Sequence, residues 1–475
     1  MSTTRRRFLG ALGTLGIFGP AGIDAAVKWQ GKLRVMEGPM LGAVYPDRAT
    51  VWARVGGEHE VQLEVIGEDG RARRGEPERS AAGHDHCVVL RSPPLEPDTR
   101  YRYRILIDGR EDDYLKDLPP LYLRSAPEGP ARFSVAFGSC AQYRDDPVQA
   151  VWAGVEAVNP ALFLWLGDNV YIDSTHESVM AECYRRQRNV LSAVPVLRKI
   201  PQLATWDDHD YCLNDQDRRN PAKEQALAVF RRYWANPAYG EPGNPGTYFR
   251  YHYGGVDFFF LDVRYYRAPN DAPDDGSKTM LGPVQLEWLK AGLRASKAPF
   301  KVLASGSGWS AAKGPSGDAW SSHLAERNRI FDFLVEEGIG GVILLSGDTH
   351  VGELNCIPWS ERGGYDLYEL VSSPLAQLPE KGAWTALRPE MRIRQVYARS
   401  NNFGLLEFDL AADDPTVTLT LRDTTGREVW WRPVTLKASE LVNGTTSWRT
   451  HIDEISLRRY ESWKAGGEYY LPEGF

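Results

Sequence analysis

Leu162-Phe163-Leu164-Trp165-Leu166-Gly167-Asp168-Asn169-Val170-Tyr171 is the stretch on which the reading of the fold turns. Five large apolar residues in a row are too few for a globular helix and suit a strand buried on both faces. The run stops at Gly167 and places a carboxylate, Asp168, on the first turn past the strand. In open α/β sheets ligands sit at that carboxyl end. Downstream and upstream the design recurs. Ala131–Phe137 ends at Gly138-Ser139-Cys140, Ile200–Trp206 runs into Asp207-Asp208-His209-Asp210, Val256–Leu261 ends at Asp262-Val263-Arg264, and Gly341–Leu345 ends at Ser346-Gly347-Asp348-Thr349-His350.

With Phe300–Ala304 as a further run, and amphipathic stretches such as Pro283–Leu293 and Leu324–Gly338 between, these segments predict an α/β domain over residues 129–475. Late strands at Phe403–Leu410 and Val417–Arg422 are expected to close it. Before it the grammar differs. Ala49–Val55, Val61–Val65, Cys87–Leu90 and the stretch ending Thr99-Arg100-Tyr101-Arg102-Tyr103-Arg104-Ile105 are short, mostly alternating runs, which imply a β-sandwich over 31–128. The prolines and glycine at 119–130 mark the linker.

Residues 1–30 carry a different signal. Thr4-Arg5-Arg6-Arg7-Phe8-Leu9-Gly10, followed by a short glycine-rich apolar run, resembles a twin-arginine export leader, which implies the export machinery as a partner and a periplasmic or extracellular destination. No later segment is long and apolar enough to predict a transmembrane helix. The net charge of −7, with no basic block, argues against a stable nucleic-acid partner. Five cysteines in 475 residues do not suggest a disulfide framework and leave a thiol for other work.

The strand tips carry the chemistry. Asp168 can bridge two metal ions with its two oxygens, and Tyr171 lies close enough in sequence to return to the same ion. Asp348 and His350 stand two apart on an extended loop, so both point the same way, and imidazole with carboxylate suits transition metals and harder cations. Three carboxylates around His209 would repel unless cations lie among them. There His209 is expected to be the general acid, and Asp208 and Asn214 metal ligands. Cys140 as a thiolate would bind iron or zinc. Arg264 either clamps phosphate oxygens or pairs with Asp262 or another carboxylate. Two look-alikes are set aside: His84-Asp85-His86-Cys87 precedes a strand of the β-module and reads as a surface turn, and Ser305-Gly306-Ser307-Gly308 has Ser where a nucleophile elbow needs Gly and reads instead as a loop lining the pocket.

Taken together these motifs, with Tyr368-Glu369-Leu370-Val371-Ser372-Ser373 and Asn401-Asn402-Phe403-Gly404, resemble the PhoD-like alkaline phosphatases of the metallophosphoesterase superfamily. The resemblance implies a four-layer α/β/β/α sandwich behind an immunoglobulin- or fibronectin-like β-sandwich. It implies a ferric ion on Cys140, Asp168, Tyr171 and His350, with calcium near Asp168, Asn214 and Asp348. The implied reaction is hydrolysis of small-molecule or lipid phosphate esters by metal-activated water. Phosphodiesterase or phospholipase D-type activity on the same site is the nearest alternative, and an exported binding protein with a degenerate site is the alternative from another class. Cys212, where members often carry other residues, departs from the pattern.

Overall fold

The computed structural model describes residues 34–112, 115–313, 317–380 and 392–466. The leader segment 1–30 lies outside the described residues.

The first part is two antiparallel sheets. One holds Val35–Val44, Ala49–Val55 and Cys87–Arg91; the other is built on Glu60–Ile66 and Arg100–Ile107, with shorter strands on both flanks. Alternation explains the packing. Val51, Ala53, Leu90, Val61, Leu63, Val65, Tyr101, Tyr103, Ile105 and Ile107 share one buried cluster, while the intervening arginines and glutamates of the second sheet pair with each other, as Glu64 does with Arg74 and Arg104.

The second part is two six-stranded sheets. The first runs Gln202–Thr205, Leu162–Leu166, Arg132–Gly138, Asn402–Asp409, Thr416–Asp423, Val434–Lys437; its first three strands are parallel. The second runs Phe249–Tyr253, Val256–Phe260, Lys301–Ala304, Val342–Ser346, Asp366–Val371, Glu353–Pro358, with the middle four parallel. Period-two alternation sorts the first sheet's side chains into two layers. Val135, Phe137, Leu162, Leu164, Leu166 and Leu203 pack into the cluster that contains Phe258, Phe260, Val302, Ile343 and Leu345 of the second sheet. Ala136, Phe163, Trp165 and Ala204 face the other way, into a cluster with the helices Val151–Val158, Glu177–Arg188 and Lys223–Tyr233. On the far side of the second sheet, helix Gly282–Ala295 lies so close that a Cβ on Gly292 would come within 2.6 Å of the Phe259 ring. The layers are α/β/β/α, as expected for a metallophosphoesterase-type sandwich.

Most predicted runs appear as strands within one or two residues. Ile200–Trp206 is shorter than expected, because Ile200 caps the helix Val194–Lys199 and the strand begins at Gln202. Glu454–Lys464 is a helix, capped by Asp453 accepting from Ser456 N–H at 2.7 Å. All five thiols are free.

Candidate active site

The parallel strands of both sheets end on the same side, and their tips meet. Gly167 has φ +87 and its Cβ position lies 2.5 Å from Asp207 Cβ, so only glycine lets the Leu162–Leu166 and Gln202–Thr205 tips close up. Ser139 ties two more: its Oγ donates to Ser372 O (3.1 Å) and accepts from Asp348 N–H (3.2 Å). Cys140, Asp168, Asp348 and His350 all sit at φ between +49 and +69, a strained region for residues with a side chain. The backbone is bent at each tip in a way that turns the side chains inward.

What they turn toward is shared. Cys140 Sγ lies 3.5 Å from Asp168 Oδ2, and Tyr171 O–H donates to the same oxygen at 3.2 Å. Tyr171 Oη is 3.4 Å from His350 Nε2. The other oxygen, Asp168 Oδ1, accepts from the His209 N–H at 3.3 Å. Asp168 therefore presents one oxygen to each of two adjoining neighbourhoods. Donor atoms of Cys140, Asp168 and His350 lie within 4.8 Å of one another; so do those of Asp168, Asp208 and His209, and those of Asp208, Asp215 and Asp318. These linked groups could hold metal ions.

Electrostatics favour that occupant. Burial, then Asp208 and Cys140, push the Asp168 carboxyl well above its usual range. Burial lifts Asp207 to about 8, against the pull of Arg264, and Cys140 to about 11. Burial and Asp168 push the Tyr171 hydroxyl up as well. Burial lowers His350, which keeps its imidazole neutral and able to ligate. A thiol, a phenol and several carboxyls buried in contact are costly as anions unless cations lie among them. Thiolate, imidazole and phenolate on one side, and carboxylates on the other, make a donor set that fits two unlike ions.

Of the expected site residues, the fold brings together Cys140, Asp168, Tyr171, Asp208, His209 and His350. Asp348 hangs from the neighbouring tip by its N–H to Ser139 Oγ, but its carboxylate is paired with the buried ammonium of Lys313. Asn214 lies exposed in the loop after the short helix Asp208–Tyr211, beside Asp215, whose backbone N–H donates to Asp208 Oδ2 at 2.7 Å. Arg264 requires correction as a phosphate clamp. Its guanidinium is 0 % exposed, pairs with Asp207 through Nε and with Asp318 through both terminal nitrogens, and reaches the Gln216 carbonyl at 3.3 Å. Its donors are taken up by protein acceptors, so it holds the Asp207 and Asp318 loops together rather than facing a ligand.

Several participants carried no pattern in the sequence. Lys313 ends the 3-10 turn Ala311–Lys313, Asp318 comes from the stretch before Trp320, and Gln377 donates to Tyr171 Oη at 2.9 Å. Asp173 accepts from His209 Nδ1–H at 2.7 Å, and the Tyr171 ring lies tilted against the His209 ring at 4.1 Å. Both set-aside motifs prove structural. Asp85 is bound by Arg54, Arg185 and Tyr233, and Ser305 lies buried against Ser307 O and Trp320. Cys212 ends the short helix with its Sγ 3.1 Å from Ser174 O.

The profile of the PhoD-like phosphatases matches residues 135–419, more than half of the chain and every strand tip just described. The chain belongs to the PhoD-like phosphatase family. Residues 32–118 match a separate domain family, DUF7800, of unknown function. Alkaline phosphatase D of Bacillus subtilis (strain 168) is 27% identical over an alignment of 383 residues that covers 69% of this chain and 62% of that protein, so the match spans less than two thirds of the relative's length. Among solved structures, PhoD superposes with a TM-score of 0.67 at 19% identity, covering 91% of this chain and 97% of that one. A purple acid phosphatase from yellow lupin seeds superposes at 0.62 with 12% identity, covering 84% of this chain and 74% of that one. At those identities the two show a shared fold. Among the described residues no helix is long and apolar enough to cross a membrane.

Proposed function

We propose that this chain is an exported metal-dependent phosphoesterase of the alkaline phosphatase D type, with the export leader at 1–30, the β-sandwich at 31–128 and the catalytic domain at 129–475. The observation that carries the reading is Asp168, whose two oxygens face two donor groups, Cys140 with His350 and Asp208 with His209. Cys140, Asp168, Tyr171 and His350 would hold a ferric ion. Asp168, Asp208 and Asn214, with Asp348 once Lys313 yields it, would hold calcium. When bound, the ions supply charge to the phosphoryl oxygens and lower the pKa of an attacking water.

The chain's own residues do the rest. Asp173 holds His209 by Nδ1, so Nε2 is left to deliver a proton to the leaving oxygen. The Tyr171 ring against the imidazole limits its rotation. Arg264, through Asp207 and Asp318, keeps the loop bearing Asp208 in place.

Asp168→Asn keeps the shape of the side chain and removes the charge shared between the groups. Expected is loss of turnover by several orders of magnitude with an unchanged fold by circular dichroism; wild-type-like activity in this variant would refute the bridging role. Assaying mono- and diester chromogenic substrates side by side, with elemental analysis of the same preparation, separates phosphomonoesterase from phosphodiesterase action. Absence of both turnover and bound ions would leave the binding-protein alternative.

A further inference from the structure

We propose that Gln377 is a positioning residue of this centre, donating its amide N–H to the Tyr171 oxygen and so setting how strongly that oxygen binds and donates to a metal. The inference rests on the reading above that Tyr171 is a metal ligand.

The placement of Gln377 is built into the fold. The chain leaves the Asp366–Val371 strand and lies alongside the Cys140 loop: Leu375 N–H donates to Ser139 O (2.8 Å), Ala376 N–H to Cys140 O (3.1 Å), and Gln142 N–H returns to Ala376 O (2.8 Å). Four residues on from Ala376, Glu380 N–H donates to His350 O at 3.0 Å. The segment is thus fastened by its backbone to the loops that carry Cys140 and His350, and Gln377 stands between the two fastenings. Its Nε2 lies 2.9 Å from Tyr171 Oη and in close contact with His350 Nε2.

The direction of the hydrogen bond follows from proton counting. The phenol has one proton, and it is directed at Asp168 Oδ2. The oxygen's lone pairs are what Gln377 meets, so the amide nitrogen rather than its carbonyl faces Tyr171. Ionisation of the phenol leaves that oxygen an acceptor only, and the N–H bond to it is then charge-assisted and stronger. A partner of this kind fixes the ligand's orientation, and because it donates to the ionised oxygen it also withdraws electron density from it. Electron transfer in the excited state from phenolate to iron then needs more energy than it would without the donor.

The test uses the full chain reconstituted with ferric ion. Wild type is expected to show a phenolate-to-iron absorption band. Gln377→Leu, which has no donor, is expected to shift the band to longer wavelength; because the phenolate is then no longer held in orientation, iron is also expected to pass to a chelator about 10–100-fold more readily. Gln377→Glu keeps the chain length and an oxygen but, ionised, has no N–H; its band is expected to move in the same direction. Unmoved bands and unchanged iron retention in both variants overturn the assignment of Gln377 while leaving Tyr171 a ligand. A shift in the Leu variant alone also overturns it, by tracing the effect to packing. A wild-type protein that binds iron without the band overturns Tyr171 as a ligand, and the role of Gln377 with it.

Discussion

At the scale of single residues, the buried base His323 shows how the surroundings of the site constrain its chemistry. It is 0 % exposed; its Nε2–H faces Ala268 O at 3.2 Å and its Nδ1 faces the Ser322 hydroxyl at 2.9 Å, a pairing that suits the neutral ring. Burial, with Arg267 and Lys278 nearby, lowers it from 6.5 to about 3. The folded value lies below the unfolded one, so the contribution is complete above pH 6.5 and is lost as pH falls toward 3. The loss is on the order of a few kcal/mol. Melting temperatures measured from pH 7 to pH 4 should fall for wild type more steeply than for His323→Asn, which has no proton to take up; parallel curves would remove His323 as the cause. His323 also illustrates which residues the sequence displays. Cys140, Asp168 and His350 were legible because each ends a run of apolar residues, and a strand's direction fixes where its tip points. Lys313 ends a single 3-10 turn and Asp318, Gln377 and His323 lie on loops, where no period ties position to direction, and their partners are far away in the chain. For a related reason the choice between phosphate clamp and carboxylate pair stayed open for Arg264. Its strand-tip position was visible, but the carboxylate that saturates it, Asp318, comes from such a loop.

Elements are positioned here by contact between their tips, and the clearest case is Gly347. A Cβ there would fall on the Ser139 side chain and come within 2.9 Å of the Leu166 carbonyl. Three strands, Arg132–Gly138, Leu162–Leu166 and Val342–Ser346, converge at that point because the position between Ser346 and Asp348 has no side chain. Gly347→Ala is expected to destabilise by about 1–3 kcal/mol, the usual cost of overpacking. It should also cut turnover more than the melting temperature suggests, because Asp348 hangs from the displaced loop through its N–H to Ser139. A variant with normal activity and a normal melt would show that the tips can part without consequence. The strands themselves were readable in proportion to their burial. Leu162–Leu166 is buried at every position and appears with the bounds its sequence predicts, as does nearly all of Val256–Phe260. The edge strands Phe249–Tyr253 and Glu353–Pro358 did not stand out, the first because alternation over five residues beside a glycine-rich loop is a weak signal, the second because its apolar run is broken by Glu353 and Asn355. Those two polar residues are accommodated by Arg392 and Glu369.

For the whole molecule, the question is what fastens the β-sandwich to the four-layer domain, and Asp85 is the nearest thing to a latch. It sits at the end of a turn of the sandwich in a left-handed conformation, φ +49. From the same sandwich Arg54 binds it, with Nη2 at 3.1 Å from Oδ1. From the other side Arg185 Nη1 reaches Oδ2 at 2.8 Å, and the Tyr233 hydroxyl donates to that same oxygen. Around this point Trp52 Nε1–H donates to Arg232 O (2.8 Å), Tyr103 O–H to Arg198 O (2.7 Å) and Asn189 to Glu37 (3.0 Å). Burial works against the charged carboxylate, but Tyr233, Arg54 and Arg185 outweigh it and hold Asp85 below the usual value of 3.8. A depressed carboxyl stabilises the fold fully above that usual value and loses its contribution as pH falls through the lower, folded one. Asp85→Asn keeps the shape but removes the charge that two guanidinium groups share, at a cost of about 1.5–3 kcal/mol for a charged hydrogen-bonded partner. The variant should melt lower than wild type at pH 7, and the gap should narrow below pH 4 as wild type protonates the same carboxyl. Proteolysis should open the connection at 125–131 sooner in the variant, because the sandwich is held less firmly. Turnover should stay near wild type, since Asp85 touches none of the donor groups at the strand tips. A gap that persists unchanged into acid would mean that Asp85 acts through its hydrogen-bond acceptors alone, and the charge would have no part in joining the two halves.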